Sequence, residues 1–169
     1  MMLIDVSYFT EGPRHIQNAS LGKLPNADAE AVNATIKAYI RHWQRRFLNG
    51  VLTVAYAGVV DNYLKLIDKD PETEPEADAD MVIEQLREPF ANFVFFKILR
   101  DANTQPTVTG LVRLKCANEY VAPLRRQVSA WNEMVDLIRD FHVWARAEGY
   151  SSWLGKETDF LTKINPLNL

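Results

Sequence analysis

The chain has 169 residues, of which 47% are hydrophobic and 24% charged, with a formal net charge of −3. That is enough for one domain with a sizeable core, and too apolar for a wholly disordered chain. The acidic balance argues against a nucleic-acid coat, because phosphate binding shows as a basic surplus; a local basic patch stays open.

Cys116 is the single cysteine, so no intramolecular disulfide can form and the chain suits a reducing compartment. Met1 to Phe9 carries Asp5 and has neither a basic start nor a continuous apolar run, so it does not read as a secretory signal. No window approaches the roughly 20 apolar residues of a membrane-spanning helix. The cytoplasm is the expected address, with no membrane partner.

Residues 1–25 contain Gly12-Pro13, Gly22 and Pro25 and keep no helical period. Ile4, Val6 and Tyr8 alternate with polar residues, which predicts a short strand or an extended arm, packed back on the core or reaching to a neighbour. Asn26 or Asp28 then caps a first helix, with Glu30 in its first turn. Its apolar stripe is Val32, Ile36, Tyr39, Ile40, Trp43 and Phe47, at three- and four-residue steps. Lys37, Arg41, Arg45 and Arg46 lie on the other side, and Asn49-Gly50 marks a break or kink. A second stripe, Leu52, Tyr56, Val59, Val60, Tyr63 and Ile67, predicts a helix ending near Lys69 and paired antiparallel with the first, a continuous bent helix being the alternative.

Residues 68–80 are acidic at alternate positions from Asp68 to Asp80 and are interrupted by Pro71 and Pro75. Carboxylate repulsion and lost backbone donors predict an exposed flexible loop. A third helical region runs from about Asp78 to Asp101, with Pro89 as a kink or the first turn of a second piece. Phe90, Phe93, Val94, Phe95, Phe96, Ile98 and Leu99 leave it almost no polar face. Such a helix is central in a core or lies at a subunit interface, and Phe93, Phe95 and Phe96 are the candidate interface residues. Val108, Gly110, Val112 and Leu114 share one parity, so Thr107 to Lys115 reads as a short β-hairpin or a strand with a loop.

Pro123 opens the last long helix, whose stripe is Val128, Trp131, Met134, Val135, Ile138, Phe141 and Ala145 and whose stop is Gly149. A tail over 150–169 has turns at Gly155 and Pro166, with Phe160, Leu161 and Ile164 apolar enough to dock. The expected class is mainly α: one domain over 1–169, a bundle of four to five helices with a small β-hairpin and extended N- and C-terminal segments.

Chemistry-bearing patterns are sparse. His15, His42 and His142 lack a second His or Cys at metal-ligand spacing, and Cys116 follows Lys115 but has no base and orienting group to make it a nucleophile. The acidic run lacks the calcium-loop glycine: counted from Asp68, the sixth residue is Thr73. Asp136 and Asp140, one helical turn apart, could serve acid–base work or hold a metal, but Arg139 and Arg146 favour surface ion pairing. No glycine-rich phosphate loop or nucleophile elbow is present. Arg41, Arg45 and Arg46 with Trp43, joined by Arg125-Arg126, form a small patch for DNA or a partner, against the plainer reading of a solvated helix face. No enzyme activity and no cofactor are expected.

Leu3-Ile4-Asp5-Val6-Ser7-Tyr8-Phe9 with Gly12-Pro13-Arg14, then Tyr39-Ile40, Phe95-Phe96-Lys97-Ile98-Leu99-Arg100-Asp101, Trp131-Asn132-Glu133-Met134-Val135 and Ile164-Asn165-Pro166 together carry a resemblance over most of the chain. The ensemble resembles proteins of Bacteroides-type phages and prophages of the head–tail connector, or head-completion adaptor, kind. The resemblance implies a non-catalytic helical subunit that assembles as a homo-oligomeric ring. Its neighbours would be portal and tail-side phage proteins, with DNA touched only in passage or weakly. The setting would be the bacterial cytoplasm, or the virion when the prophage is active. No functional residue carries over, since the class has no catalytic motif. Deleting 1–12 or 155–169 is then expected to weaken assembly more than folding. The alternative is a DNA-contacting accessory or regulatory helical protein using Arg41, Arg45 and Arg46.

Overall fold

The computed structural model describes residues 1–22, 27–70, 76–102, 104–107, 110–113 and 123–165, and for 102, 104–107, 110–113 and 123 the backbone alone. It is mainly helical: α1 spans Ala27–Val51, α2 Val54–Lys69, α3 Ala77–Ala102 and α4 Pro123–Ala147. Short 3-10 turns at Val6–Phe9, Gly12–Arg14, Ser151–Trp153 and Asp159–Leu161 complete the helical elements. No described helix is long and apolar enough to cross a membrane.

α3 is the central helix. Seven consecutive residues, Phe90 to Phe96, are buried, which at 3.6 residues per turn covers every side of the cylinder. α1, α2 and α4 all pack against it. The helix runs through Pro89 without a second piece starting there. α4 follows its predicted stripe closely: Met134, Val135, Ile138, Phe141 and Ala145 are buried. It ends as expected, with Gly149 at φ +87°, in the left-handed region that favours glycine, and Tyr150 N–H donating to the Ala145 carbonyl.

On α1 the residues facing inward are Ile36, Ile40, Gln44, Phe47, Leu48 and Val51, with Val32, Tyr39 and Trp43 at the edge of the core. The break predicted at Asn49-Gly50 is absent. α1 continues to Val51, and Leu52-Thr53 make the turn into α2. Gly50 serves another purpose: a Cβ placed there would lie 2.3 Å from the ring of Phe160, so the glycine is what lets the tail lie flat on the helix. α1 and α2 are separate helices, and Gln44 on one meets Asp61 on the other as in an antiparallel pair. The inward face of α2 is Ala57, Val60, Asp61, Tyr63 and Leu64; Val59, expected in the stripe, is exposed.

The small β-hairpin expected over Thr107 to Lys115 is not carried into the architecture. Backbone pairing begins three residues earlier, between β1 Thr104–Thr107 and β2 Gly110–Arg113, with Thr104 opposite Arg113. Val108, Leu114 and Cys116 lie outside the described residues, so the parity argument for that segment has no counterpart here. Residues 71–75, the middle of the acidic loop, are outside them as well. The loop is shorter than expected at both ends, because Asp68 belongs to α2 and Asp78 and Asp80 to the first turn of α3.

The described parts of both terminal segments, 1–22 and 150–165, are docked rather than extended. The N-terminal segment is no strand: two 3-10 turns bring Leu3, Ile4, Val6 and Phe9 fully into the core. Leu3 N–H donates to buried Gln44 Oε1 at 2.7 Å, and the terminal ammonium donates to the Leu64 carbonyl and pairs with Asp68. Arg14 fastens the second turn to α3 through Glu88 at 2.7 Å and Asn92 at 3.3 Å, while Arg126 of α4 donates to the Pro13 and His15 carbonyls. At the other end Trp153 and Phe160 are buried. Side chains of α4 hold the tail by its backbone: Trp131 Nε1 donates to Thr162 O, Asn132 both donates to and accepts from Ile164, and Arg139 donates to Leu161 O. One hydrophobic cluster therefore draws on the N-terminal segment, all four helices and the tail.

His142 is buried in this cluster's edge. Burial, reinforced by Arg146, holds its imidazole below the ordinary 6.5. The unfolded chain then takes up a proton first, so stability is full above pH 6.5 and is lost as pH falls through the depressed folded value. Urea unfolding at pH 7 and pH 5 is expected to show a lower midpoint at pH 5 for the native chain and a smaller drop for His142→Met. Equal drops in both chains would remove His142 from the account.

Candidate functional site

A groove between α1 and α3 has a volume of about 390 Å³ and is lined by Ala38, Tyr39, His42, Trp43 and Asp101. That volume falls within the range of small-molecule sites, roughly 300–1,000 Å³. Tyr39 and Trp43 share one face of α1, being four residues apart. Tyr39 Oη donates to Asp101 Oδ2 at 2.9 Å. Burial and that bond push the phenol up to about 12, so it stays a donor across the accessible pH range. The His42 ring stands edge-on to Trp43 with centroids 4.9 Å apart.

Lys97 of α3 reaches over Trp43 and two further rings. Its ammonium lies 4.3 Å from the Trp43 centroid, 5.1 Å from Phe93 and 5.6 Å from Phe96. Burial lowers its pKa, as do the charges of Arg100 and, more weakly, Arg46, against an opposite pull from Asp101. None of Tyr39, Lys97 and Asp101 was a candidate from sequence. The readable signal was limited to Tyr39, Trp43 and Arg46 at steps of four and three; the partners on α3 lie more than fifty residues away.

The predicted arginine patch is mostly committed to the chain itself. Arg45 pairs with Asp61 at 3.3 Å and Arg46 with Glu157 at 3.2 Å, leaving Arg41 exposed on the solvent side of α1. Asp61 is nearly buried and also accepts from Lys65 at 2.7 Å and from Gln44. Burial pushes its carboxyl up, but Lys65, Gln44 and Arg45 together outweigh this and hold it below its ordinary value. Arg126, expected to extend the patch, instead spans the N-terminal carbonyls with its guanidinium 4.8 Å from the Phe95 ring.

Phe93, Phe95 and Phe96 are at most 3% exposed. The chain's own residues cover them: Trp43, Phe47, Trp131 and Phe160 pack around Phe93, and Trp131 around Phe96. Of the two branches open for an all-apolar helix, α3 takes the core branch, and no partner is needed to cover these rings. Asp136 pairs with Lys163 at 2.7 Å and with Arg139 at 3.8 Å on an exposed face, and neither it nor Asp140 lines a described groove. Asp78 and Asp80 accept from Tyr150 and Tyr63. Among the described residues no group of three or more His, Cys, Asp or Glu side chains is placed to hold a metal.

Two apolar surfaces face outward. On α2, Ala55, Val59, Asn62, Leu66 and Lys69 recur at alternating steps of four and three and are all exposed, which is the spacing of a helix–helix seam with a polar residue inside it. Val54 is 71% and Leu66 54% exposed. A side chain at Gly58 would meet nothing within 4 Å, so the backbone there is open to close approach. The second surface is a groove of about 260 Å³ lined by Ile16, Ala31, Val32, Thr35, Ile36 and Ile98, on the N-terminal half of α1.

No protein-family model, curated protein or solved structure matches the chain.

Proposed function

We propose that the chain is a non-catalytic structural subunit that works by head-to-tail self-association, the behaviour expected of the head–tail connector proteins it resembles. The observation that carries this reading is the α2 ridge: among the described residues, α2 alone exposes several large hydrophobic side chains on one helix, Val54, Val59 and Leu66. The groove over Ile16, Val32 and Ile98 sits on a different part of the molecule. A ridge and a groove on separate faces suit a heterologous contact, which closes into a ring when the rotation allows it. On this reading the neighbours are further copies, with portal and tail-side phage proteins at the ring's two ends and DNA in passage only. The reading as a DNA-contacting accessory protein has less support, because Arg45 and Arg46 are engaged by Asp61 and Glu157.

Mixing two assembly variants tests the arrangement. Leu66→Glu places a charge on the ridge, and Thr35→Trp fills the groove; both positions are exposed, so folding is spared. Each variant alone is expected to be monomeric by size exclusion with light scattering, because every contact has one damaged side. An equimolar mixture retains one intact ridge–groove pair and is expected to give 1:1 heterodimers and nothing larger. Variants that assemble as the native chain does would rule the ridge and groove out.

A further inference from the structure

We propose that the α1–α3 groove binds a phosphate-bearing nucleobase, either as a free nucleotide or at the end of a single strand. This stands apart from the self-association reading and uses different residues. The groove and the cations at its edge, Lys97 against the lining residue Trp43 and Arg100 one helical turn further on, suit the parts of such a ligand. Tyr39, His42 and Trp43 offer ring faces and edges on which a base can stack. Lys97 holds an ammonium half out of water on the Trp43, Phe93 and Phe96 rings. No described carboxylate forms an ion pair with Lys97 or Arg100. A partly desolvated cation beside a second one is stabilised by an incoming anion, through charge-assisted hydrogen bonds shielded from water. Asp101 lines the same space and, while accepting from Tyr39, keeps lone pairs for the amino group of a base such as cytosine.

The arrangement also explains why the basic signal read from α1 lay in the wrong place. Arg45 and Arg46 are neutralised at home, while the cation beside the groove with rings beneath it is Lys97 on α3, one helical turn from Arg100.

The test is fluorescence anisotropy of fluorescein-labelled oligodeoxycytidylate and oligothymidylate with the full chain, with CMP and inorganic phosphate as competitors. The cytidylate strand is expected to bind more tightly than the thymidylate strand. Lys97→Met, which keeps the apolar stem, is expected to weaken binding roughly ten- to hundredfold, the effect of losing one charge-assisted hydrogen bond. Arg100→Gln is expected to act in the same direction, and Arg146→Gln, at the other end of α4, to leave binding unchanged. Arg100 is exposed, so its variant decides the matter should Lys97→Met fold poorly. Competition by CMP assigns the site to free nucleotides as well as strands; its failure against a bound strand assigns it to strands. Inorganic phosphate competing as well as CMP would overturn the nucleobase assignment. So would absence of binding, or binding equal in Lys97→Met, Arg100→Gln and Arg146→Gln.

Discussion

Removal of residues 1–12 is expected to unfold the chain, not merely to weaken its assembly. The segment places Leu3, Ile4, Val6 and Phe9 in the core at 4% exposure or less. Burying four such side chains contributes on the order of 6–12 kcal/mol at about 1.5–3 kcal/mol each, an upper bound because the unfolded chain is not fully extended. That is comparable to the whole stability of a typical domain, about 5–15 kcal/mol. The deletion also strips Gln44 Oε1 of the Leu3 N–H, leaving a buried acceptor unmatched. Phe9→Ala isolates the largest single piece and is expected to cost about 3–5 kcal/mol. At roughly 2–4 °C of Tm per kcal/mol for a chain of this size, the melting temperature falls by about 6–20 °C. Circular dichroism and thermal unfolding of both proteins check this. A cooperative melt within a few degrees of the native chain would mean that the segment is an appendage, as an arm reaching to a neighbour would be.

Gly50→Ala is expected to destabilise the protein by about 1–3 kcal/mol, the usual cost of overpacking. Helix propensity alone predicts the opposite sign, a gain of about 1 kcal/mol for alanine over glycine inside a helix. The clash decides: the new methyl would sit 2.3–2.9 Å from three ring atoms of Phe160. That ring is buried and enclosed by Phe47, Phe93 and Trp131, so it has little room to yield. A double-mutant cycle separates the two effects. In a Phe160→Ala background the methyl enters the space the ring left, and Gly50→Ala is expected to become neutral or stabilising. A Gly50→Ala penalty unchanged by Phe160→Ala would show that the tail does not pack where it is described.

These two sites mark where local reading stops. The stripes of α1 and α4 were legible because a 3.6-residue period with polar residues between leaves one choice of inward face. On α2 the period leaves more choice: Leu52, Val60 and Tyr63 of its stripe are buried, but adjacent Val59 and Val60 cannot both face inward, and packing buries Val60 with Ala57 and Leu64 and turns Val59 out. Asn49-Gly50 predicts a break or kink because glycine is usually found at one; the reason for Gly50 is a ring 110 residues further along the chain. The N-terminal alternation of Ile4, Val6 and Tyr8 suggested a strand, yet no neighbouring strand is there to pair with it among the described residues. The groove residues were invisible for the same reason, since Trp43 and Lys97 become neighbours only when α1 packs on α3.

Native mass spectrometry of the unmodified chain over a concentration series tests the central claim most directly. The account predicts a defined oligomer of many copies, with masses that fall to monomer when Leu66→Glu is introduced. A strict monomer at every concentration, indistinguishable from Leu66→Glu, would contradict self-association as the way this protein works.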